Sequence, residues 1–522
     1  MSALLEKRFF SFLKPYARPQ LFALLFLGFS AGIPLLLIFS SLSLWLREAG
    51  VDRSTTTYFS WAALGYSFKF VWAPLIDKLP VPLLTSLLGR RRAWLLIAQL
   101  AVMASIIWMA QIDPSTGSDS LILMGVAAVC LGFSSATQDI VIDAYRIESA
   151  DGDLQSLLSS MYVAGYRLAM IVSGAGALFL AEYLGSNEAL YNYSAWHWTY
   201  LAMSAVMGVG VVTTLFISEP RQGQRSLSNY SASDHFGLLI LFFLVVCGFV
   251  LSYYYSSDIA ASAKDAVFVF LQNKPLSAVI IEAFRLLIAT AISASLAMLG
   301  VTLGLFDRRV VFDSYISPVK NFFDRFGVKF ALTMLALIGL YRISDIVLGV
   351  ISNVFYQDIG FSKTEIAAAV KTFGLLMTLL GGFLGGVLSV RYGTLKILFA
   401  GALMSAVTNL LFIVLAQVGN EMYLFYLVVS ADNISAGLAS AAFIAFLSSL
   451  TNISFTAMQY AIFSSIMTLF PKIIGGYSGG MVESVGYTSF FLITTLLGVP
   501  VLLLIWFSWS RIEYYLHQDV TE

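Results

Sequence analysis

The sequence predicts an all-α integral membrane protein: two six-helix bundles joined by a two-helix insert, about fourteen transmembrane helices in all. Three observations predict it. Of 522 residues, 59% are hydrophobic and only 11% charged, less than half of the roughly 25% charged content of a soluble domain. Apolar stretches near bilayer length, which is about 20 residues for a helix, recur from one end of the chain to the other. Lipid offers backbone polar groups no partner, so such stretches must cross as helices. Finally, the basic residues fall on alternate loops.

The first six spans read at about 20–46, 55–79, 92–112, 119–146, 156–184 and 196–217. The stretch 1–46 has the basic start of a signal peptide, but its apolar run continues well past such a core and reads as an uncleaved first helix. Two further spans, at 235–256 and 277–306, form the insert. Six more follow at about 326–357, 362–391, 394–417, 420–450, 454–485 and 488–512. The polar stretches 218–234, 257–276 and 307–325 are read as loops too short to bury a core. The chain therefore divides into a bundle at 1–217, a linker with the extra pair at 218–325, and a second bundle with a short tail at 326–522.

Cytoplasmic loops carry the excess of lysine and arginine. With the N-terminus inside, inside segments hold nineteen basic residues, among them Arg90, Arg91, Arg92, Arg146, Arg308, Arg309, Arg391 and Lys396. Outside loops hold five: Arg47, Arg53, Lys264, Lys274 and Lys363. A miscounted helix would flip every later loop and blur this contrast. Both termini are thus expected in the cytoplasm.

Composition also excludes function classes. Thirty basic residues cancel thirty acidic ones, leaving no basic field for nucleic acid. Cys130 and Cys247 lie in apolar runs, and three scattered histidines offer no ligand spacing, so neither a disulfide framework nor a metal centre is expected. No Gly-x-x-x-x-Gly-Lys-Ser/Thr loop occurs, so ATP is not expected to drive work through this chain. The expectation is a transporter without cofactor, acting as a monomer, rather than an enzyme.

An ionised side chain near mid-membrane costs roughly 2.5–3.5 kcal/mol even on the lenient insertion scale, so each needs a partner, water or a task. The candidates are Lys69, Asp139, Asp143, Arg167, Arg342, Asp345, Lys371, Asp432 and Lys472. Asp139 and Asp143 share a helical face at i and i+4; from Arg146, Asp139 lies about 10 Å in and Asp143 about 5 Å. Asp143 reads as a structural partner for Arg90, Arg91 or Arg92. Asp139, beside Gln138, reads as a proton-coupling carboxyl whose proton comes and goes as water access changes sides. Arg167, beside Gly165 and Tyr166, reads either as an ion-pair partner of Asp139 or Asp143 or as a bidentate clamp for a substrate carboxylate. Arg342, Asp345 and Lys371 read as an internal ion-pair network or as substrate contacts. Asp432-Asn433 is the positional counterpart of Gln138-Asp139, as expected of a site between two matching halves. Trp72, Tyr66, Tyr166 and Tyr341 lie beside charged positions, where a flat ring can stack on a sugar. Glu282 and Arg285, at i and i+3 in the insert, neutralise each other. A basic residue seven positions before a small-residue pair occurs twice, as Arg167 with Gly174 and Gly176 and as Lys472 with Gly479 and Gly480.

Asp77 closing the second span, followed by Gly89-Arg90-Arg91 opening the third, resembles the signature hairpin of the major facilitator superfamily, with several extra residues between. More specifically the chain resembles the AmpG-type anhydromuropeptide permeases of Gram-negative inner membranes. The matching stretches include Gly28-Phe-Ser-Ala-Gly32-Ile-Pro34, Tyr66-Ser-Phe-Lys69-Phe-Val-Trp72-Ala-Pro74-Leu-Ile-Asp77, and Ser135-Ala-Thr-Gln138-Asp139-Ile-Val-Ile-Asp143-Ala. Others are Gly165-Tyr166-Arg167-Leu-Ala-Met, Lys371-Thr-Phe-Gly374-Leu, Asp432-Asn433 and Thr456-Ala-Met-Gln459-Tyr-Ala. The resemblance implies proton-coupled import of N-acetylglucosaminyl-anhydro-N-acetylmuramyl peptides for cell-wall recycling. Together, these readings take Gln138, Arg167, Tyr166, Lys69, Trp72, Arg342, Asp345, Lys371 and Asn433 as candidates for substrate binding, and Asp77, Arg90, Arg91, Asp143, Asp432 and Lys472 as gating or structural charge. Two other functions are weighed: carriage of another bulky anion such as an acyl-CoA, and a membrane-embedded enzyme acting on lipid-linked sugars, which the short loops and scarce histidines disfavour.

Overall fold

The computed structural model describes residues 18–51, 59, 65–150, 152–186, 190–220, 232–272, 274–475 and 478–518. The regular elements among them are helices. Twelve are long and apolar enough to cross a membrane. The expected second span is not among these, because residues 52–58 and 60–64 lie outside the described part; its remainder runs as short pieces, Gly65–Phe68, Lys69–Val71 and Ala73–Lys78. The expected span at 454–485 appears as the helix Thr456–Gly475 and the start of Ser478–Leu497. Inside the latter, Gly486 takes φ +77, a left-handed backbone that glycine adopts freely, and so breaks the helix where the sequence places the boundary before residue 488.

Two stretches read as loops are helical instead. Residues 257–276 contain the helix Ser257–Leu271, and 307–325 contain Arg308–Val311, Phe312–Ile316 and most of Ser317–Phe326. Their mean polarity hides a face: Ala260, Val310, Phe322 and Phe326 are buried, spaced along helices whose other sides carry the charges.

The described chain forms two compact units. In the larger, residues 1–70, 80–226 and 326–522, helix Pro19–Ile38 lies against Gly152–Ile171, and Gly374–Tyr392 against Met422–Leu450. Small residues allow these close approaches: a Cβ on Gly165 would stand 1.9 Å from the Leu25 carbonyl oxygen, and one on Gly437 2.2 Å from that of Thr378. Away from the basic loops, each half closes on an aromatic core. Trp45 stacks on Trp196 with centroids 5.6 Å apart in one half, and Phe355, Phe412, Phe425 and Phe491 interlock in the other.

The smaller unit comprises 71–79 and 227–325. Ala232–Tyr255 packs on Lys274–Thr302. The expected Glu282–Arg285 pair forms at 3.2 Å, and Lys264, assigned from sequence to a loop, joins it at 2.5 Å from the Ser257–Leu271 helix. Trp72 and Asp77 are buried in this unit, where the Tyr315 hydroxyl donates to the Val71 carbonyl at 3.0 Å.

Candidate functional site

The helix Ser118–Glu148 buries its second half, every residue from Ser134 to Glu148. Positions 139, 143 and 146 follow one another along one side of it at helical spacing. Lys69 reaches this side from the Lys69–Val71 turn, and its ammonium stands 3.4 Å from Asp143 Oδ2. Arg146 approaches the other oxygen, Oδ1, at 3.3 Å. Asp143 is thus shared by two cations, and neither is Arg90, Arg91 nor Arg92. Nearest-in-depth logic favoured the hairpin arginines, but a helical partner three residues away and a lysine from the facing turn reach it first.

Asp139, one turn deeper, is 8% exposed, and its Oδ1 has no hydrogen-bond partner. Both it and Asp143 interact electrostatically with Lys69's side of the site; Tyr66, Tyr162, Tyr166 and Tyr460 lie within electrostatic reach of Asp139. Gln138 is fully buried with both amide atoms unpartnered.

Arg167 makes no ion pair with Asp139 or Asp143; its side-chain contact is Met170 sulfur at 3.8 Å. What stands within electrostatic range is a second guanidinium, Arg342, from the other half. Arg342 is 21% exposed, its Nε 3.0 Å from Asp345 Oδ2 but poorly aligned for a hydrogen bond, while Nη1 donates to Ser440 at 2.6 Å. Asp345 in turn accepts a bond from Ser405. Asp432 lies within electrostatic reach of both Arg342 and Asp345. Asn433 accepts from Thr378 of the neighbouring helix at 2.8 Å and donates to the Val429 carbonyl at 2.9 Å. Tyr341 is likewise a packing group, stacked 4.2 Å from Phe443 with its hydroxyl on the Leu398 carbonyl. The side chains of Lys371 and Lys472 lie outside the described residues.

At the end carrying the basic loops, polar groups join the two halves. Arg91 forks onto Glu148, with Nη2 2.5 Å from Oε1, and the same Nη2 donates to Thr456 of the second half at 2.8 Å. Thr456 also donates to Glu148 at 2.5 Å. Arg146 donates to Ser448 at 2.7 Å and lies over the Tyr460 ring at 5.1 Å. Ser156 and Thr394 meet at 3.2 Å. Buried ion pairs hold only when their remaining valences are met, and Thr456 meets them here. Behind this cluster Glu219 accepts from the backbone N–H groups of Arg91 and Arg92 at 2.8 and 3.1 Å, capping the Arg90–Ala110 helix; burial nevertheless pushes its carboxyl above the ordinary glutamate value, against those two bonds.

Glu148, Glu219, Ser448 and Tyr162 were not singled out from the sequence, and Thr456 and Tyr460 entered only within a stretch that carries the family resemblance. Glu148 carried a signal, an acid ending the same helix as Asp139 and Asp143; Ser448 carried none, being uncharged and 302 residues from Arg146.

Comparison with known proteins fits this arrangement. A family model described as acetyl-coenzyme A transporter 1 matches residues 20–218. The putative transporter AmpG 4 of Rickettsia felis is 28% identical over 494 residues, 95% of this chain and 97% of that one. The anhydromuropeptide permease of Escherichia coli K12 is 26% identical over 504 residues, 96% of this chain and 82% of that one. Among solved structures, the major facilitator proton:xylose symporter XylE superposes with a TM-score of 0.57 at 12% identity, covering 96% of each chain. The human organic anion transporter MFSD10 gives 0.52 at 12% identity, covering 94% of this chain and all of that one. The resemblance read in the sequence therefore extends along nearly the whole chain: it is a multi-pass membrane transporter, not an enzyme, with the major facilitator fold and similarity to AmpG permeases.

Proposed function

We propose that the chain imports 1,6-anhydromuropeptides from periplasm to cytoplasm across a Gram-negative inner membrane, both termini cytoplasmic, driven by protons through alternating access. One observation carries this reading: Arg167 and Arg342, from the two halves, lie within electrostatic range of each other, and among the described residues Arg167 makes no ion pair with a carboxylate. Two like charges brought together repel, so the arrangement favours an anion between them, and guanidinium forks suit peptide carboxylates. Tyr166 beside Arg167 offers an aromatic face for a sugar ring. Asp139, buried with one oxygen unpartnered and Lys69 nearby, is the group best placed to gain and lose a proton.

Uptake of labelled anhydromuropeptide into proteoliposomes under an imposed pH gradient tests the proposal. Wild-type protein accumulates substrate uphill; Asp139→Asn abolishes accumulation while leaving substrate exchange measurable. Normal uphill uptake by Asp139→Asn would remove the proton role. A second reading, carriage of an acyl-CoA-like anion, draws on the family model over residues 20–218. Uptake decides between them: labelled anhydromuropeptide accumulates and labelled acyl-CoA does not under the first reading, and the reverse holds under the second.

A further inference from the structure

Two carboxylates one helical turn apart, Asp143 and Asp139, lie within the field of Lys69. In this structure it pairs with Asp143 at 3.4 Å, while Asp139, one helical turn away, feels its charge and holds an oxygen without a hydrogen bond. Asp143 is simultaneously the carboxylate that orients Arg146, and Arg146 reaches across to Ser448 and Tyr460 of the other half. Contacts run from Lys69 through Asp143 and Arg146 to Ser448 of the other half, and Asp139 lies within electrostatic reach of the first of them.

We infer that Lys69 is a positioning residue that trades between Asp139 and Asp143 and so ties the protonation of Asp139 to the hold of Arg146 on the second half. The inference rests on the proton role proposed above for Asp139. A proton arriving from water forms an O–H bond on the Asp139 carboxylate and cancels one negative charge; no other covalent bond changes. With Asp139 neutral, Lys69 stays on Asp143. That carboxylate is then divided between two cations, as seen here, where the Arg146–Ser448 bond is still made at 2.7 Å, and its orienting hold on Arg146 is weaker than when Arg146 has it alone. With Asp139 ionised, Lys69 is drawn one turn deeper, Asp143 turns wholly to Arg146, and the Arg146–Ser448 contact tightens. Protonation therefore loosens the basic end and ionisation secures it. Besides these groups, the titratable side chains facing Lys69 and the two acids are Tyr66 from the Gly65–Phe68 turn, Tyr162 and Tyr166 from Gly152–Ile171, and Tyr460 from Thr456–Gly475. Tyrosines stay neutral through the range in which a carboxyl titrates, which leaves the acids and Lys69 to carry the change.

The test needs no substrate. Leu87 and Tyr392 are exposed near the basic end of the two halves. In a background with Cys130 and Cys247 replaced by serine, nitroxide labels at Leu87→Cys and Tyr392→Cys report the separation of that end in nanodiscs, read by electron–electron double resonance between about pH 8 and about pH 5, a span that brackets the titration of a perturbed carboxyl. Wild-type protein is expected to gain a longer-distance population several-fold as pH falls. Asp139→Asn should show the low-pH distribution throughout. Lys69→Met should show no pH response, and Lys69→Arg should restore it. Asp143→Asn, which removes the other trading site, should also be flat and serves if Lys69→Met is not monodisperse. A Lys69→Met protein that shifts with pH as wild type does would overturn the role of Lys69 while leaving Asp139 as the proton site. A wild-type distribution indifferent to pH would overturn both.

Discussion

Asp113 shows how the partners of one residue set its response to pH. It sits between the helices Arg90–Ala110 and Ser118–Glu148, outside both. Burial alone pushes its carboxyl up. The bonds it accepts from Tyr191 at 2.6 Å and from the Ser115 hydroxyl and backbone at 2.7 and 3.0 Å outweigh that and hold it below the ordinary aspartate value. A carboxyl lowered in the folded state contributes stability above its unfolded value and loses it as pH falls through the folded one. Asp113→Asn should therefore flatten the acid limb of a melting-temperature profile in detergent below about pH 4, and a limb of unchanged steepness would contradict the assignment. Glu219 differs because its bonds go to helix N–H groups. Glu219→Ala leaves the first turn of Arg90–Ala110 without its acceptor and should cost about 1–2 kcal/mol of stability, as loss of a helix cap does. Glu219→Gln, which keeps an acceptor oxygen, should cost less in the same melting assay.

Among the elements, the contact between Pro19–Ile38 and Gly152–Ile171 is set by backbone meeting backbone. A Cβ at Gly28 would lie 2.2 Å from the Tyr162 carbonyl oxygen and one at Gly165 1.9 Å from that of Leu25, whereas one at Gly176 finds ordinary contacts at 3.7 Å and beyond. Overpacking typically costs 1–3 kcal/mol even where side chains can shift, and here carbonyl oxygens cannot. Gly165→Val should therefore lose about 3 kcal/mol or more and fail to give a monodisperse peak on size exclusion, while Gly176→Ala should elute as wild type. This element was legible in advance, because glycine beside a mid-span arginine signals close packing. The helices at 257–271 and 308–326 were not: hydropathy averages both faces of an amphipathic helix, and only the burial of Val310, Phe322 and Phe326 reveals its inner side.

Across the whole larger unit, charge depth was legible and charge pairing was not. Sunken acids and cations announce themselves in an apolar run, so Asp139, Arg167, Arg342 and Asp345 could be named from sequence. Which cation meets which acid depends on contacts between distant segments, and so Asp143 went to Lys69 and Arg146, and Arg167 faced Arg342. The same long-range assembly placed Thr456 against Arg91 and Glu148, closing the basic end around a fully buried pair. Removing one partner of such a pair strands the other's charge, at a cost of about 3–5 kcal/mol. That cost falls on the closed arrangement; once the halves part and water reaches Glu148, most of it disappears. Arg91→Ala should therefore move the equilibrium toward opening at the basic end, and even 2 kcal/mol, about half the typical penalty, changes a two-state ratio roughly thirtyfold. A cysteine at Ser448→Cys, otherwise shielded between the halves, would then react faster with a membrane-impermeant thiol reagent applied from the basic side. Adding Glu148→Gln removes the stranded charge and should bring the rate back toward that of the parent. If Arg91→Ala leaves the labelling rate unchanged, the buried pair is not what holds the two halves together.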